Sequence, residues 1–130
     1  MFTHIHHVAV IASDYERSKT FYTELLGFPI INEAYREERK SYKCDLKVGE
    51  SQIELFSFPD PPKRPNQPEA AGLRHLCFGV DEIERAVEDL EGKGIACEPV
   101  RVDPYTGKKY TFFKDPDGLP LEIYEDQTSK

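Results

Sequence analysis

An α+β fold assembled from two βαβββ modules is what the 130-residue sequence predicts, and three observations predict it. Two stretches each read as strand, capped helix and three further strands; a proline-rich segment parts them; and the second stretch repeats the first at a constant offset. At 15.0 kDa the chain holds one ordinary domain with a real core, or two small units sharing one, but not two independent domains. We therefore expect a single domain over 1–130, with modules at 1–58 and 73–126 and a linker at 59–72.

The first module opens with His6-His7-Val8-Ala9-Val10-Ile11, apolar and β-branched, followed by Ser13-Asp14. That is a short buried strand running into a helix cap, with Ser13 and Glu16 at capping-box spacing. From Tyr15 to Leu26 the residues Phe21, Tyr22, Leu25 and Leu26 recur at helical intervals, and Gly27 stands where a left-handed C-terminal cap belongs. Alternation over Phe28 to Tyr35, Cys44 to Val48 and Gln52 to Phe56, with a turn at Gly49-Glu50, predicts three strands in a meander. The charge run Arg36 to Lys40 between the first two reads as a solvated edge or loop.

Residues 59–72 hold five prolines, so they continue neither a helix nor a central strand. The pattern then restarts. Leu73 to Val80 reads as a strand, Asp81 and Glu84 repeat the capping box, and Ile83, Ala86, Val87 and Leu90 mark a helix closing at Gly92 or Gly94. Cys97 to Val102, Tyr110 to Phe113 and Leu121 to Tyr124 complete three strands, separated by turns at Asp103-Pro104-Tyr105-Thr106-Gly107 and Asp115-Pro116-Asp117-Gly118.

Composition excludes several classes. Charged residues make up 32% and hydrophobic ones 38%, a globular balance. No stretch approaches the roughly 20 apolar residues of a spanning helix, and the start lacks the pattern of a secretory leader. With net charge −7 the chain repels phosphate backbones and anionic membranes, so neither nucleic acid nor membrane is an expected partner. Cys44, Cys77 and Cys97 are odd in number and form no C-x-x-C pair, which argues for small buried apolar groups in a reducing cytoplasm. Lys63, Arg64, Arg74, Arg101, Lys108 and Lys109 lie in or near loops, where they would meet an anionic substrate; scattered surface charge is the simpler reading.

Register makes the repeat quantitative: 75 − 7 and 122 − 54 both equal 68, pairing His7 with His75 and Glu54 with Glu122. Each histidine stands at a strand start, and each glutamate sits as apolar-Glu-apolar-aromatic in the last strand of its module. Taken singly, each is more at home on a wet sheet face or hydrogen-bonded in a core, as His4 and His6 are read here. Taken together, equivalent residues of a duplicated unit converge on one point. Two neutral imidazoles and two carboxylates balance a dication, and this nitrogen–oxygen set suits Zn²⁺, Ni²⁺, Co²⁺, Mn²⁺ or Fe²⁺ better than Ca²⁺. Ala9, Ile11, Cys77 and Gly79 lie on the same strand faces as the histidines. Being mostly small, they leave a cavity or allow tight sheet-to-helix packing.

His7, Ser13-Asp14, Phe21-Tyr22, Leu26-Gly27-Phe28, Ile53-Glu54-Leu55, Gly72-Leu73-Arg74-His75 and Asp115 through Glu122 keep an order and spacing that resembles the vicinal oxygen chelate (glyoxalase/bleomycin resistance/extradiol dioxygenase) superfamily. Within it the four-ligand pattern is similar to glyoxalase I, and ELFSFPDPPKRP and PEAAGLRHL look like a YaeR-type subgroup. The resemblance implies a U-shaped mixed sheet around one metal ion, Ni or Zn foremost. It also implies a homodimer, whose site is built within a chain or shared across the dimer.

The activity so implied is a cytoplasmic, metal-dependent glyoxalase I-like lyase or isomerase serving methylglyoxal detoxification. It converts the hemithioacetal of methylglyoxal, or a related α-ketoaldehyde, and a thiol into a 2-hydroxyacyl thioester through a metal-held enediolate. Glu122 is the expected base, with Glu54 its counterpart by symmetry, while His7 and His75 serve as ligands. Glutathione-using relatives often carry arginine and asparagine where this chain has Ile11 and Phe58, so another thiol is expected. The alternatives are an extradiol-type dioxygenase, against which a carboxylate at Glu54 argues; an epimerase, whose pattern usually has glutamine there; and a sequestering protein of the bleomycin-resistance type without catalytic metal.

Overall fold

The computed structural model describes residues 1–126, so the last four positions of the expected 1–130 span lie outside the described residues. The chain divides into two compact units, Met1–Lys63 and one beginning at Arg64, and each is α+β with its own four-stranded mixed sheet.

In the first unit β1 (His7–Ala12), α1 (Tyr15–Thr20), β2 (Ile30–Arg36), β3 (Ser41–Val48) and β4 (Ser51–Ser57) follow in order. The sheet order is β1-β4-β3-β2: β2, β3 and β4 form an antiparallel meander, and β1 joins β4 in parallel. A parallel partner needs a crossover, which the helix supplies. Period-two alternation separates the faces of β1, where Val10 and Ala12 are buried while His7, Ala9 and Ile11 are exposed. The charge run forms a short 3₁₀ turn, Glu37–Arg39, between β2 and β3.

Two expectations for the first helix change. The cap is Asp14, not Ser13: its side chain accepts the Arg17 N–H at 3.2 Å from an extended backbone. After Thr20 the chain widens into a π-helical turn, Phe21–Leu25, rather than running α-helical to Leu26. The extra residue in that turn lets the adjacent Phe21 and Tyr22 both enter the core. Gly27, at φ 80°, then reverses the chain, and the Phe28 N–H donates to the Tyr22 carbonyl across it.

In the second unit β5 (Leu76–Val80), α2 (Ile83–Gly92), β6 (Arg101–Val102), β7 (Lys109–Lys114) and β8 (Pro120–Glu125) repeat the plan, with order β5-β8-β7-β6 and β5 parallel to β8. The expected strand from Leu73 starts only at Leu76, so His75 immediately precedes β5 rather than lying inside it. The cap of α2 falls on Glu82, one residue after the expected Asp81. Glu82 occupies the cap position without a side-chain bond, and Glu125 of β8 accepts the Ile83 N–H instead, at 3.1 Å. The strand expected over Cys97 to Val102 shrinks to Arg101–Val102, because Pro99 offers no N–H to a ladder. Only the Glu98 N–H still reaches the Phe112 carbonyl.

Core positions follow the 68-residue offset. Tyr15 and Ile83, Tyr22 and Leu90, Ile53 and Leu121, and Leu55 and Ile123 are each at most 7% exposed. Helices α1 and α2 pack toward β4 and β8 of their own units, covering one sheet face. Burial of the cysteines differs from expectation: Cys44 is buried, Cys97 half-buried and Cys77 exposed on the uncovered face of β5. Among the described residues no helix is long and apolar enough to cross a membrane.

Candidate metal centre

Both His–Glu pairs form within their own units on uncovered sheet faces. In the first, Ala9 stands directly opposite Glu54 in the parallel ladder, and His7 lies one side-chain step before Ala9. This places His7 Nε2 3.5 Å from Glu54 Oε2. Cys77 stands opposite Glu122 in the same register, and His75 Nε2 is 3.0 Å from Glu122 Oε1. Ala9, Cys77 and Gly79 on these faces are exposed, so tight packing beneath a helix is not their role.

The observed separations test whether these groups suit an ion. Nitrogen and oxygen donors sit roughly 2.1 Å from a divalent first-row metal, so two donors sharing one ion lie ~3.0 Å apart at a right angle and ~3.4 Å apart at a tetrahedral angle. Both pairs match. Neither glutamate is engulfed: Glu54 and Glu122 side chains are 15% and 12% exposed, open enough for an ion to reach. The other faces of the rings are also fixed. His6 Nδ1 lies 3.0 Å from His7 Nδ1, leaving Nε2 toward Glu54. His75 stands edge-on to Phe112, with centroids 5.1 Å apart. Each unit thus offers two donors, and among the described residues no set of three or more His, Cys, Asp or Glu is grouped to hold an ion.

The surroundings of the two glutamates differ. Asp45 lies opposite Glu54 in the β3–β4 ladder, and the Lys43 ammonium reaches both, at 2.7 Å from Asp45 Oδ1 and 3.8 Å from Glu54 Oε2. Phe112 lies opposite Glu122, with Cys77 on its other side. Desolvation, then the charge of Glu122 and a hydrogen bond to it, push the Cys77 thiol up to about 12. One step along β8, the Tyr124 hydroxyl donates to Asp103 Oδ2 at 2.9 Å and also meets Thr106, tying the 103–107 turn to the strand. The Tyr105 N–H and then the Tyr124 hydroxyl hold the Asp103 carboxyl below its ordinary range.

Most of the basic residues flagged from the sequence are already matched. Arg74 meets Glu69, Arg101 meets Glu98, Lys108 meets Asp126 and Lys109 meets Glu84. Arg64 donates to the Leu73 and Arg74 carbonyls and to Asn66. What sequence reasoning missed is Arg36 and Arg39 within the charge run. Arg36 stacks over Phe56 and Phe58, and Arg39 over Phe58. The available signal was their three-residue spacing, together with Phe56 and Phe58 two residues apart at the end of the first module.

Residues 4–123 match the profile of the Glyoxalase/Bleomycin resistance protein/Dioxygenase superfamily. The chain is 63% identical to the uncharacterized protein YwkD of Bacillus subtilis (strain 168), over 93% of this chain and 95% of that one. It is 60% identical, with the same coverage, to the uncharacterized protein YaeR of Escherichia coli (strain K12). A crystal structure of a glyoxalase family protein from Enterococcus faecalis superposes with a TM-score of 0.90 at 52% identity, covering 95% of this chain and 98% of that one. More distant similarity reaches the mitochondrial methylmalonyl-CoA epimerase of Homo sapiens, 28% identical over 92% of this chain and 72% of that protein. The lactoylglutathione lyase of Schizosaccharomyces pombe is 26% identical over 97% of this chain but only 48% of its own length.

Proposed function

Because the chain belongs to the Glyoxalase/Bleomycin resistance protein/Dioxygenase superfamily, we propose that it is a divalent-metal-dependent isomerase of the glyoxalase I type. Its substrate would be the hemithioacetal of a small α-ketoaldehyde such as methylglyoxal with a thiol, and its product a 2-hydroxyacyl thioester. The observation that carries this reading is the pair of His–Glu contacts, 3.5 and 3.0 Å, at equivalent places in both units. His7, Glu54, His75 and Glu122 would hold the ion once the two pairs meet, within one chain or between the chains of a homodimer.

A dication held by these residues would supply Lewis acidity to the substrate. The residues of the chain do the rest. His7 and His75 hold their Nε2 atoms in place, His7 through its neighbour His6 and His75 against Phe112. Glu54 is anchored by Lys43 and serves as a fixed ligand. Among the described residues no lysine or arginine takes the equivalent place beside Glu122. Glu122 is the carboxylate that would take the proton from the carbon bearing sulfur and return it to the adjacent carbon, so the reaction is balanced without a redox partner. Phe112 keeps water from one side of that transfer.

The test is to load the protein separately with Ni²⁺, Zn²⁺, Mn²⁺ and Fe²⁺ and follow thioester formation from methylglyoxal adducts of several thiols. Turnover with at least one metal and thiol, lost on chelation and restored by the ion, is the expected result. Oxygen consumption with a catechol and Fe²⁺, without thioester formation, would sink the proposal. A second reading, epimerisation of a short acyl thioester, is favoured by the similarity to the human epimerase. Solvent deuterium entering the carbon next to a thioester carbonyl, with no 2-hydroxyacyl product from any adduct, would single it out.

A further inference from the structure

The uncovered face of the first sheet carries a second feature beside Glu54. Along β4, Glu54 and Phe56 point to the same side, roughly 7 Å apart, and Phe58 continues one step beyond the strand end. The two rings stack, with centroids 6.0 Å apart and planes 13° from parallel. The Arg36 guanidinium lies over both, 4.9 Å from the Phe56 centroid and 5.8 Å from that of Phe58, and Arg39 adds a second guanidinium 5.8 Å from Phe58. Cation–aromatic stacking of this kind fixes the planes while leaving guanidinium edges free to donate.

Among the described residues those edges meet no carboxylate. Arg36 Nη2 donates to Ser41 Oγ at 3.0 Å, while its Nε is buried with no acceptor among the described residues. A buried donor of a charged group left unmade is costly, and native structures leave few. Lys43, 5.9 Å from the Phe56 ring, is already held by Asp45 and Glu54, so it does not compete for the same anion. The second sheet shows what completion looks like. There Arg101 lies over Tyr110 and Phe112 at 5.4 and 5.5 Å, and Glu98 meets its guanidinium at 2.6 Å. Among the described residues the same stacked arrangement carries its own carboxylate on one sheet and none on the other.

We propose that Arg36, Arg39, Phe56 and Phe58 form a binding shelf for an oxyanion, a carboxylate or a phosphate, on the small molecule whose reacting end lies at Glu54. The flat or apolar part next to that oxyanion rests on the two phenylalanine rings, and the guanidinium edges bind its oxygens. Resting on the isomerase reading, this assigns the substrate an acidic group roughly one to two side-chain steps, about 7–14 Å, from the reacting carbon. An acid-bearing thiol adduct fits; an uncharged one does not.

The shelf is read directly by following the Arg36 Nε–H and Phe58 ring resonances by NMR in the full chain, as purified and after zinc loading. Benzoate, phenyl phosphate and neutral benzyl alcohol are the probes. Saturable shifts with benzoate or phenyl phosphate and none with benzyl alcohol are expected, and the tighter of the two acids identifies which oxyanion the shelf prefers. Arg36→Gln should weaken that binding about tenfold or more, the loss of a charge-assisted hydrogen bond, and Arg36→Lys should weaken it less. Should Arg36→Gln fail to fold, Phe58→Leu keeps the apolar volume and is expected to weaken the aromatic acids as well. Equal binding of benzyl alcohol, absence of saturation, or unchanged affinity in the folded variants would overturn the shelf. The two proposals fail separately. Probe binding without any thioester formation removes only the isomerase, whereas thioester formation with KM unchanged by Arg36→Gln for every acidic thiol removes only the shelf.

Discussion

On the first sheet Glu54 stands between Ala9 and Asp45 with the Lys43 ammonium 3.8 Å away, whereas on the second Glu122 stands between Cys77 and Phe112. The His–Glu contact and the buried positions beneath it recur at the 68-residue offset, so both halves retain the same scaffold. At the site the divergence lies in what flanks the donors. A carboxylate beside a fixed cation is held in place by it, even where solvent and a neighbouring carboxylate weaken the attraction. One beside a thiol and a phenyl ring keeps its freedom to move. Equivalent residues can therefore be assigned different work.

Exchanging the glutamates one at a time breaks that comparison most sharply. Glu122→Gln should lower kcat by about 10²–10⁴, the usual weight of a general base, with the metal still bound. Glu54→Gln should instead lower metal affinity by at least about tenfold, as disturbance of a ligand shell does, and recover part of its turnover at high metal concentration. Metal titrations read beside kcat separate the two effects. Equal losses of both kinds in both variants would make the halves functionally identical and remove the division of roles.

The helices offer a smaller contrast. Asp14 caps α1 from the adjoining residue, whereas α2 is capped from a distance by Glu125 at the end of β8. Asp14→Ala should cost about 1 kcal/mol, the usual value for a lost cap, and lower the melting temperature by a few degrees. Glu125→Ala removes a bond spanning 42 residues, so it should also loosen the β8 end against α2. Faster amide exchange at both Ile83 and Asp126 in that variant is the signature, since the Asp126 N–H donates to Val80 beside the same helix start. Exchange confined to Ile83 would reduce Glu125 to an ordinary cap.

These particulars show how far a sequence reading reaches. The strands and helices that obey the offset were readable because one residue in two or in three to four is apolar and the repeat confirms each choice. The interval breaks in the β-hairpin before the last strand: Leu46 pairs with Ile53, seven residues on, while Phe113 pairs with Leu121, eight on. The Asp115 to Gly118 turn takes up the extra residue. Ser13 and Asp14 are both good caps, so a one-residue error there costs the pattern nothing. The π-helical turn is hidden because adjacent Phe21 and Tyr22 look the same in any helix. His7 and Glu54 were legible as candidates through the offset, but Arg36 was not, since a guanidinium in a charge run reads as solvated until Phe56 and Phe58, at the end of a strand beyond β3, are seen beneath it.

The smallest expected effect concerns a network that the first unit has built around its helix. The Tyr15 hydroxyl donates to Glu33 Oε2 at 2.5 Å and Lys19 Nζ donates to Glu33 Oε1 at 2.9 Å, while the Tyr15 ring stacks on Tyr42 at 4.4 Å. The Lys19 hydrogen bond, then that from Tyr15, holds the Glu33 carboxyl below its ordinary range. A carboxyl whose folded value is depressed contributes stability that is present above its unfolded value, about 4.3 for a glutamate, and is lost as pH falls through the folded value. Glu33→Gln should therefore destabilise the protein at neutral pH by about 0.5 kcal/mol, the scale of a partly exposed pair. The gap from the unaltered protein should shrink as the medium is acidified below pH about 4. Lys19 is raised mainly by its hydrogen bond to Glu33, so its share is present at neutral pH and fades only when alkali passes its folded value. Denaturant unfolding at several pH values checks the sign: a gap that widens on acidification would mean that Glu33 is protonated in the fold and that Tyr15 and Lys19 hold it by some other means.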